Sequence, residues 1–164
     1  MADLEDSSLL LSRGIRPTKQ RTRVYEALQR CTSHPTAEEL HRKVLGQLGD
    51  ASSSMGDDDG VDDEPISLAT VYNALQTLWQ KGLVRPIHTV DGRRWDAGLH
   101  DHVHVYVEGT AEVCDLPADL GDRIFACIPR QLLDEIGDRL GTRVDRVAIQ
   151  LLARRRGCDG PAVR

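Results

Sequence analysis

The hydrophobic period of this chain switches from that of a helix to that of a strand at Gly82, and no other feature constrains the fold as much. Upstream, apolar residues recur at helical spacing in three stretches. They are Val24, Leu28 and Cys31 within 18–31, Leu40, Val44 and Leu48 within 35–49, and Leu68, Val71, Leu75 and Leu78 within 67–82. Helical spacing gathers each set on one face and buries it. Pro17 and Thr18 mark the first start, Thr36 and Glu39 form a capping box at the second, and Ser67 caps the third, which Gly82 stops. Downstream, 83–90 and 93–98 flank Asp91-Gly92, a preferred two-residue hairpin turn. Three helices followed by a hairpin is the order of a winged helix-turn-helix.

Past residue 98 the pattern is different. Residues 102–109 and 110–116 read as strands joined by a tight turn at Glu108-Gly109, 118–141 as a helix bent or broken at Pro129, and 142–155 as a last strand. This half is small and rich in strand edge, and pairing with a twin would cover the edge. The fold class expected is α+β: an N-terminal winged helix-turn-helix domain over 1–97 and a small C-terminal α/β dimerisation domain over 98–164.

A net charge of -5 argues against nucleic acid only until its distribution is read. Residues 11–45 hold eight Lys or Arg against three acids, whereas 46–65 hold seven acids and no base. Residues 49–65 read as an acidic, solvated loop inserted before the third helix, without the spacing of a calcium loop. No apolar run reaches the ~20 residues of a membrane span and the N-terminus is acidic, so a cytoplasmic protein is expected. Cys31, Cys114, Cys127 and Cys158 include no CxxC pair, which argues against a thiolate zinc site and a disulfide framework.

The chemistry-bearing residues cluster at the junction of the halves. In a strand, His102 and His104 project from one face, so both imidazoles can reach one ion. Asp96 ends the hairpin and Asp115 ends the neighbouring strand, and both carboxylates could converge on the same spot. Imidazole with carboxylate suits Fe(II), Mn(II) or Co(II) better than a closed thiolate zinc site, without excluding Zn(II). The third helix offers Thr70, Tyr72, Asn73, Gln76 and Thr77 on its free face, a polar and uncharged set suited to reading base edges.

In the segments 14–21, 33–40, 66–75 with 82–84, 93–105 and 111–116, the sequence resembles the ferric uptake regulator family. ATVYNAL at 69–75 and the aspartate-to-HxH spacing are its specific elements. The resemblance implies a homodimeric, metal-dependent repressor acting on palindromic double-stranded DNA, with neither a small-molecule substrate nor a membrane partner. It places the regulatory metal ligands on His34, Asp96, His102, His104 and Asp115, and DNA contacts on Arg16, Tyr72 and Asn73, to which the polar face of the third helix adds Thr70. His34 enters the ligand set only through the resemblance. His41, His88 and His100 are read as non-ligands. One divalent ion per subunit follows, Fe(II) or Mn(II) in the cell and Zn(II) admitted in vitro.

Family members with a structural zinc use two CxxC pairs. Here Val107 and Thr110 occupy the first pair's positions, so no four-cysteine zinc is expected. Asp115 resembles the peroxide-sensing branch, since iron regulators tend to have glutamate there. Two other readings are a metal-independent winged-helix regulator and a non-haem metalloenzyme. The latter lacks a candidate general base beside the ligands.

Overall fold

A computed structural model of the chain describes residues 2–51, 65–98 and 100–155. It divides into two compact units, Met1–Leu99 and His100–Arg164, against an expected boundary after residue 97.

The first unit opens with α1 (Ala2–Ser12), a helix that no strong sequence signal announces. Its Leu10 is fully buried, which anchors it to the rest of the unit. Then come α2 (Lys19–Gln29), α3 (Ala37–Ala51), α4 (Leu68–Gln80) and the antiparallel pair β1 (Arg85–Thr89) and β2 (Gly92–Asp96). The caps follow the residues that specify them. Thr18 Oγ1 accepts from Arg21 N, and Ser67 Oγ accepts from Thr70 N. Thr36 N donates to Glu39 Oε2 at 2.9 Å while Glu39 N donates to Thr36 Oγ1 at 3.2 Å, a reciprocal capping box. Gly82 takes a φ of 72°, a left-handed conformation that ends α4 without the Cβ penalty.

Two expectations need correction here. Helix α3 runs on to Ala51 and takes the first residues assigned to the acidic loop, while 52–64 lie outside the described residues. In the hairpin Thr89 pairs with Gly92, so the turn residues are Val90 and Asp91 rather than Asp91-Gly92. Gly92, with a φ of 130°, instead begins β2, and its carbonyl accepts from Thr89 Oγ1 at 2.8 Å. One core joins these elements, with Tyr25, Leu40, Leu75, Leu78, Leu83 and Trp95 among its members. Leu68 is packed at its margin, and the side chain of Leu48 lies outside the described residues.

The second unit is a three-stranded sheet ordered β4-β3-β5, with β3 (Val103–Val107), β4 (Glu112–Asp115) and β5 (Ile149–Ala153). β4 runs antiparallel to β3 and β5 runs parallel to it. Between β4 and β5 lie α5 (Ala118–Ala126) and α6 (Arg130–Leu140), so the single helix read over 118–141 is two, with Pro129 as the N-cap of the second. Gly141, at φ 63°, closes α6, and Thr142 N donates to Gly137 O at 2.9 Å. The chain returns so closely there that a Cβ on Gly137 would sit 2.7 Å from Thr142 O.

The β3–β4 turn spans Glu108–Ala111, longer than the tight turn expected, with Gly109 and Ala111 both at positive φ. β5 is confined to Ile149–Ala153 rather than the whole of 142–155, and Leu151 and Leu152 are both exposed. Among the described residues no helix is long and apolar enough to cross a membrane.

Candidate metal centre and DNA-reading face

Each unit carries its own donor set. In the first, His34 lies in the segment between α2 and α3, which is tied to β2. Trp95 N donates to Pro35 O at 2.9 Å, and Arg94 Nη1 donates both to His34 O at 2.8 Å and to Glu39 Oε2 at 3.1 Å. The capping glutamate of α3 thus also receives the arginine that holds the histidine's backbone. Asp96, the last residue of β2, accepts from Gly98 N at 2.6 Å through Oδ1. That same oxygen lies 3.8 Å from His34 Nδ1, and both side chains are buried. A charged or polar pair at this depth is costly unless its groups are engaged.

In the second unit, strand register does the positioning. His104 on β3 pairs directly with Asp115 on β4, which brings His104 Nε2 within 3.7 Å of Asp115 Oδ1. His102 stands one residue ahead of β3 rather than inside the strand, yet its Nε2 lies 3.1 Å from the same oxygen, and the two imidazole centroids are 4.4 Å apart. The Nδ1 of His102 lies 2.9 Å from His100 O. A carbonyl can only accept, so Nδ1 donates to it and Nε2 is the ring nitrogen turned towards Asp115. His100, read as a non-ligand, contributes its carbonyl to the orientation of His102. No sequence signal announces such a backbone role.

The donor atoms of His102, His104 and Asp115 lie within 4.8 Å of one another. Ligands about 2.1 Å from an ion are separated from each other by roughly 3.0 to 3.4 Å at octahedral or tetrahedral angles. The separations of 3.1 and 3.7 Å in the second unit, and 3.8 Å in the first, fit a divalent cation after small adjustments. Among the described residues Cys31, Cys114 and Cys127 are free thiols on separate elements, and Cys158 lies outside them.

The face of α4 turned away from the core carries Tyr72, Asn73 and Gln76 exposed, with Thr70 and Thr77 partly so. The two threonines are engaged locally: Thr70 Oγ1 lies 2.9 Å from Ser67 Oγ, and Thr77 Oγ1 donates to Asn73 O at 2.8 Å. Arg16 is exposed, and its carbonyl accepts from Arg21 Nη1. Tyr72 donates its hydroxyl to Glu38 Oε1 at 2.6 Å. That bond is the main cause holding the Glu38 carboxyl below its ordinary value and the Tyr72 phenol above its own. Arg93 on the hairpin holds its guanidinium 5.8 Å from the centroids of both Trp79 and Trp95, within cation–π range. Glu38 and Arg94 were missed by sequence reasoning because each acts across a long separation, 34 residues for Glu38 and Tyr72 and 60 for Arg94 and His34.

Comparison with known proteins finds relatives and solved structures that this chain resembles. The family model of the ferric uptake regulator family matches residues 60–129. The chain is 31% identical over 114 residues to the peroxide-responsive repressor PerR of Staphylococcus saprophyticus, across 68% of this chain and 67% of that protein. It is 29% identical over 103 residues to the peroxide operon regulator of Bacillus subtilis, where the match spans 62% of this chain but only 61% of the relative. Among solved structures, the ferric uptake regulator of Pseudomonas aeruginosa with manganese superposes with a TM-score of 0.56. At 25% identity, that match covers 92% of this chain and 98% of that one.

Proposed function

Because the chain belongs to the ferric uptake regulator family, whose members are metal-responsive transcription regulators rather than enzymes, we propose that it is a metal-dependent DNA-binding repressor. One divalent ion per subunit, Fe(II) or Mn(II) in the cell, is held by His34, Asp96, His102, His104 and Asp115. The observation that carries this reading is the convergence of His102 Nε2 and His104 Nε2 on one oxygen of Asp115, with the His102 ring oriented by a carbonyl behind it. Three donors from one unit and two from the other together make a five-donor set of imidazole and carboxylate, the composition that iron and manganese favour. When bound, the ion supplies a fixed link among its donors. As iron, it also supplies a redox-active centre.

His34 and Asp96 belong to the unit that carries α4, so occupancy by the ion selects conformers of that unit, and linkage requires DNA to tighten metal binding by the same factor. α4 meets the major groove through Thr70, Tyr72 and Asn73, and Arg16 reaches the minor groove. The working form is a homodimer on a palindromic site. Supporting that, α6 exposes Leu132, Ile136 and Leu140 and β5 exposes Leu151 and Leu152, an apolar surface a second copy would cover. Peroxide sensitivity is proposed on the two curated relatives, both named for peroxide, and on the aspartate at 115. The protein acts in the cytoplasm.

The test is affinity for the DNA upstream of its own coding sequence, titrated anaerobically with Fe(II) and with Mn(II), repeated with chelator, and repeated after dilute peroxide. Metal should tighten binding by about tenfold or more, ~1.4 kcal/mol, and peroxide should abolish the iron form alone. Equal selective binding with metal and with chelator would leave a metal-independent winged-helix regulator and sink the corepressor reading.

A further inference from the structure

On the basis of the proposed DNA-reading role of α4, we propose that Glu38 sets the base preference of that helix by occupying the single hydrogen Tyr72 has to donate. Glu38 and Glu39 stand side by side at the start of α3 and act in opposite directions. Glu39 turns to cap Thr36 and to receive Arg94, whereas Glu38 is exposed and accepts the Tyr72 hydroxyl at 2.6 Å.

A phenol has one O–H to give and lone pairs to receive. With the hydrogen committed to a carboxylate, in a short charge-assisted bond, the oxygen of Tyr72 presents only lone pairs outward. The carboxylate beside it is itself an acceptor and nothing else. Asn73 and Gln76 on the same face each carry both donors and acceptors and can suit any base. Tyr72 with Glu38 cannot.

In the major groove the edges of guanine and thymine offer only acceptors for hydrogen bonds, while adenine and cytosine present an amino group that donates. The pair therefore favours adenine or cytosine at the base it meets. Guanine or thymine there would leave acceptor facing acceptor, with repulsion and an unpaired desolvated group. Two side chains this exposed add little to folding through their bond, so the place where the bond acts is the surface it shapes.

The experiment uses the full-length protein with Mn(II). Duplexes are selected from a randomised pool, and the preferred site is then varied one base pair at a time. At one position of each half-site the unaltered protein should prefer adenine or cytosine over guanine or thymine by about tenfold, the scale of one good base contact. Glu38→Ala frees the hydroxyl to donate or accept, so the preference at that position should shrink to about twofold. Glu38→Gln, whose carbonyl can take the same hydrogen, should keep it. Tyr72→Phe should lose it.

Full preference in Glu38→Ala together with its loss in Tyr72→Phe would overturn the role of Glu38 and leave Tyr72 as the reader. Loss in Glu38→Gln equal to that in Glu38→Ala would show that charge, not the accepted hydrogen, matters, and would also overturn it. An unchanged Tyr72→Phe would remove Tyr72 from the reading face. Absence of any selective Mn(II)-dependent binding would take the repressor reading down with the proposal.

Discussion

The two units differ in how completely they bury their own apolar surface. In the first, helices and hairpin close around Tyr25, Leu40, Leu75, Leu78, Leu83 and Trp95, and among the described residues the large apolar side chains left outside are few and scattered: Leu11, Tyr72, Trp79 and Val90. In the second, the buried apolar residues among those described are Val103, Tyr106 and Val113, while Leu120, Leu132, Ile136, Leu140, Leu151 and Leu152 are exposed. Apolar burial at roughly 25 cal/mol per Å² is the main favourable term in folding, so the first unit holds itself together and the second is unfinished. A small domain that leaves this much apolar surface out generally completes its core by association.

The sharpest way to break that contrast is to remove the same side chain from each unit. Leu75, fully buried on α4, should cost about 2–5 kcal/mol on substitution to Ala. Leu152→Ala, at a site 68% exposed, should change the stability of a monomer by no more than about 0.5 kcal/mol. Urea denaturation of each variant measures both, and equal losses would erase the distinction between the units. Next in size, Leu132→Asp combined with Ile136→Asp should weaken self-association by about a hundredfold, ~2.7 kcal/mol. Sedimentation velocity reads that change, and the far-UV signal of the first unit should persist. An unaltered dimer would mean that α6 is not the surface a second copy covers.

Sequence made the first unit legible because its signals are local. Thr18, Thr36 with Glu39, Ser67 and Gly82 each fix a helix end within a turn of themselves, and they do so in the structure. The α1 helix escaped notice because its polarity pattern forms no clean stripe and only Leu10 is fully buried. The hairpin turn was displaced by one residue, since Asp-Gly is a favoured turn pair but cross-strand register decides which residues occupy it. In the second unit β5 takes only five residues of the strand read over 142–155, and its neighbours Leu151 and Leu152, on opposite faces, are both exposed. The candidate ligands were legible as residue types. What stayed hidden were the groups that orient them, the carbonyl of His100 behind His102 and Arg94 on the carbonyl of His34.

If one ion takes donors from both units, His34→Ala in the first and His104→Ala in the second should each lower Mn(II) affinity by about tenfold or more, ~1.4 kcal/mol. Isothermal titration of the two variants distinguishes that from an ion owned by the second unit, where only His104→Ala would matter. A somewhat smaller loss, about 1 kcal/mol, is expected for Thr36→Ala. Unpairing the capping box leaves the first unit's helix α3 with an unmet amide and loosens Glu39, which Arg94 shares. The second unit has no side-chain cap on α5 or α6 to lose in the same way.

The smallest effect separates the units by the physical origin of a shifted carboxyl. In the first unit the hydroxyl of Tyr72, a neutral donor, is the leading cause that holds Glu38 below its ordinary 4.5. In the second the Arg155 guanidinium, with Thr110 after it, holds Glu112 below the same value. Both shifts have the same sign: each favours the ionised carboxylate in the folded protein, so each contributes above about pH 4.5 and is lost as pH falls through the lowered folded value. For Glu38 there is also an upper bound, since the raised Tyr72 phenol keeps its hydrogen past the ordinary 10.0 and the bond is lost only as pH rises through its folded value. Salt separates the two cases. At about 1 M salt the Debye length is near 3 Å, so an exposed charge pair is screened while a bond from a neutral hydroxyl is not. An NMR titration of both carboxyls should find Glu112 moving back towards 4.5 in high salt while Glu38 stays low, and Tyr72→Phe should return Glu38 alone. If salt released Glu38 as readily as Glu112, its carboxylate would be held by charge rather than by the phenol, and Tyr72 would have its hydrogen free to offer elsewhere.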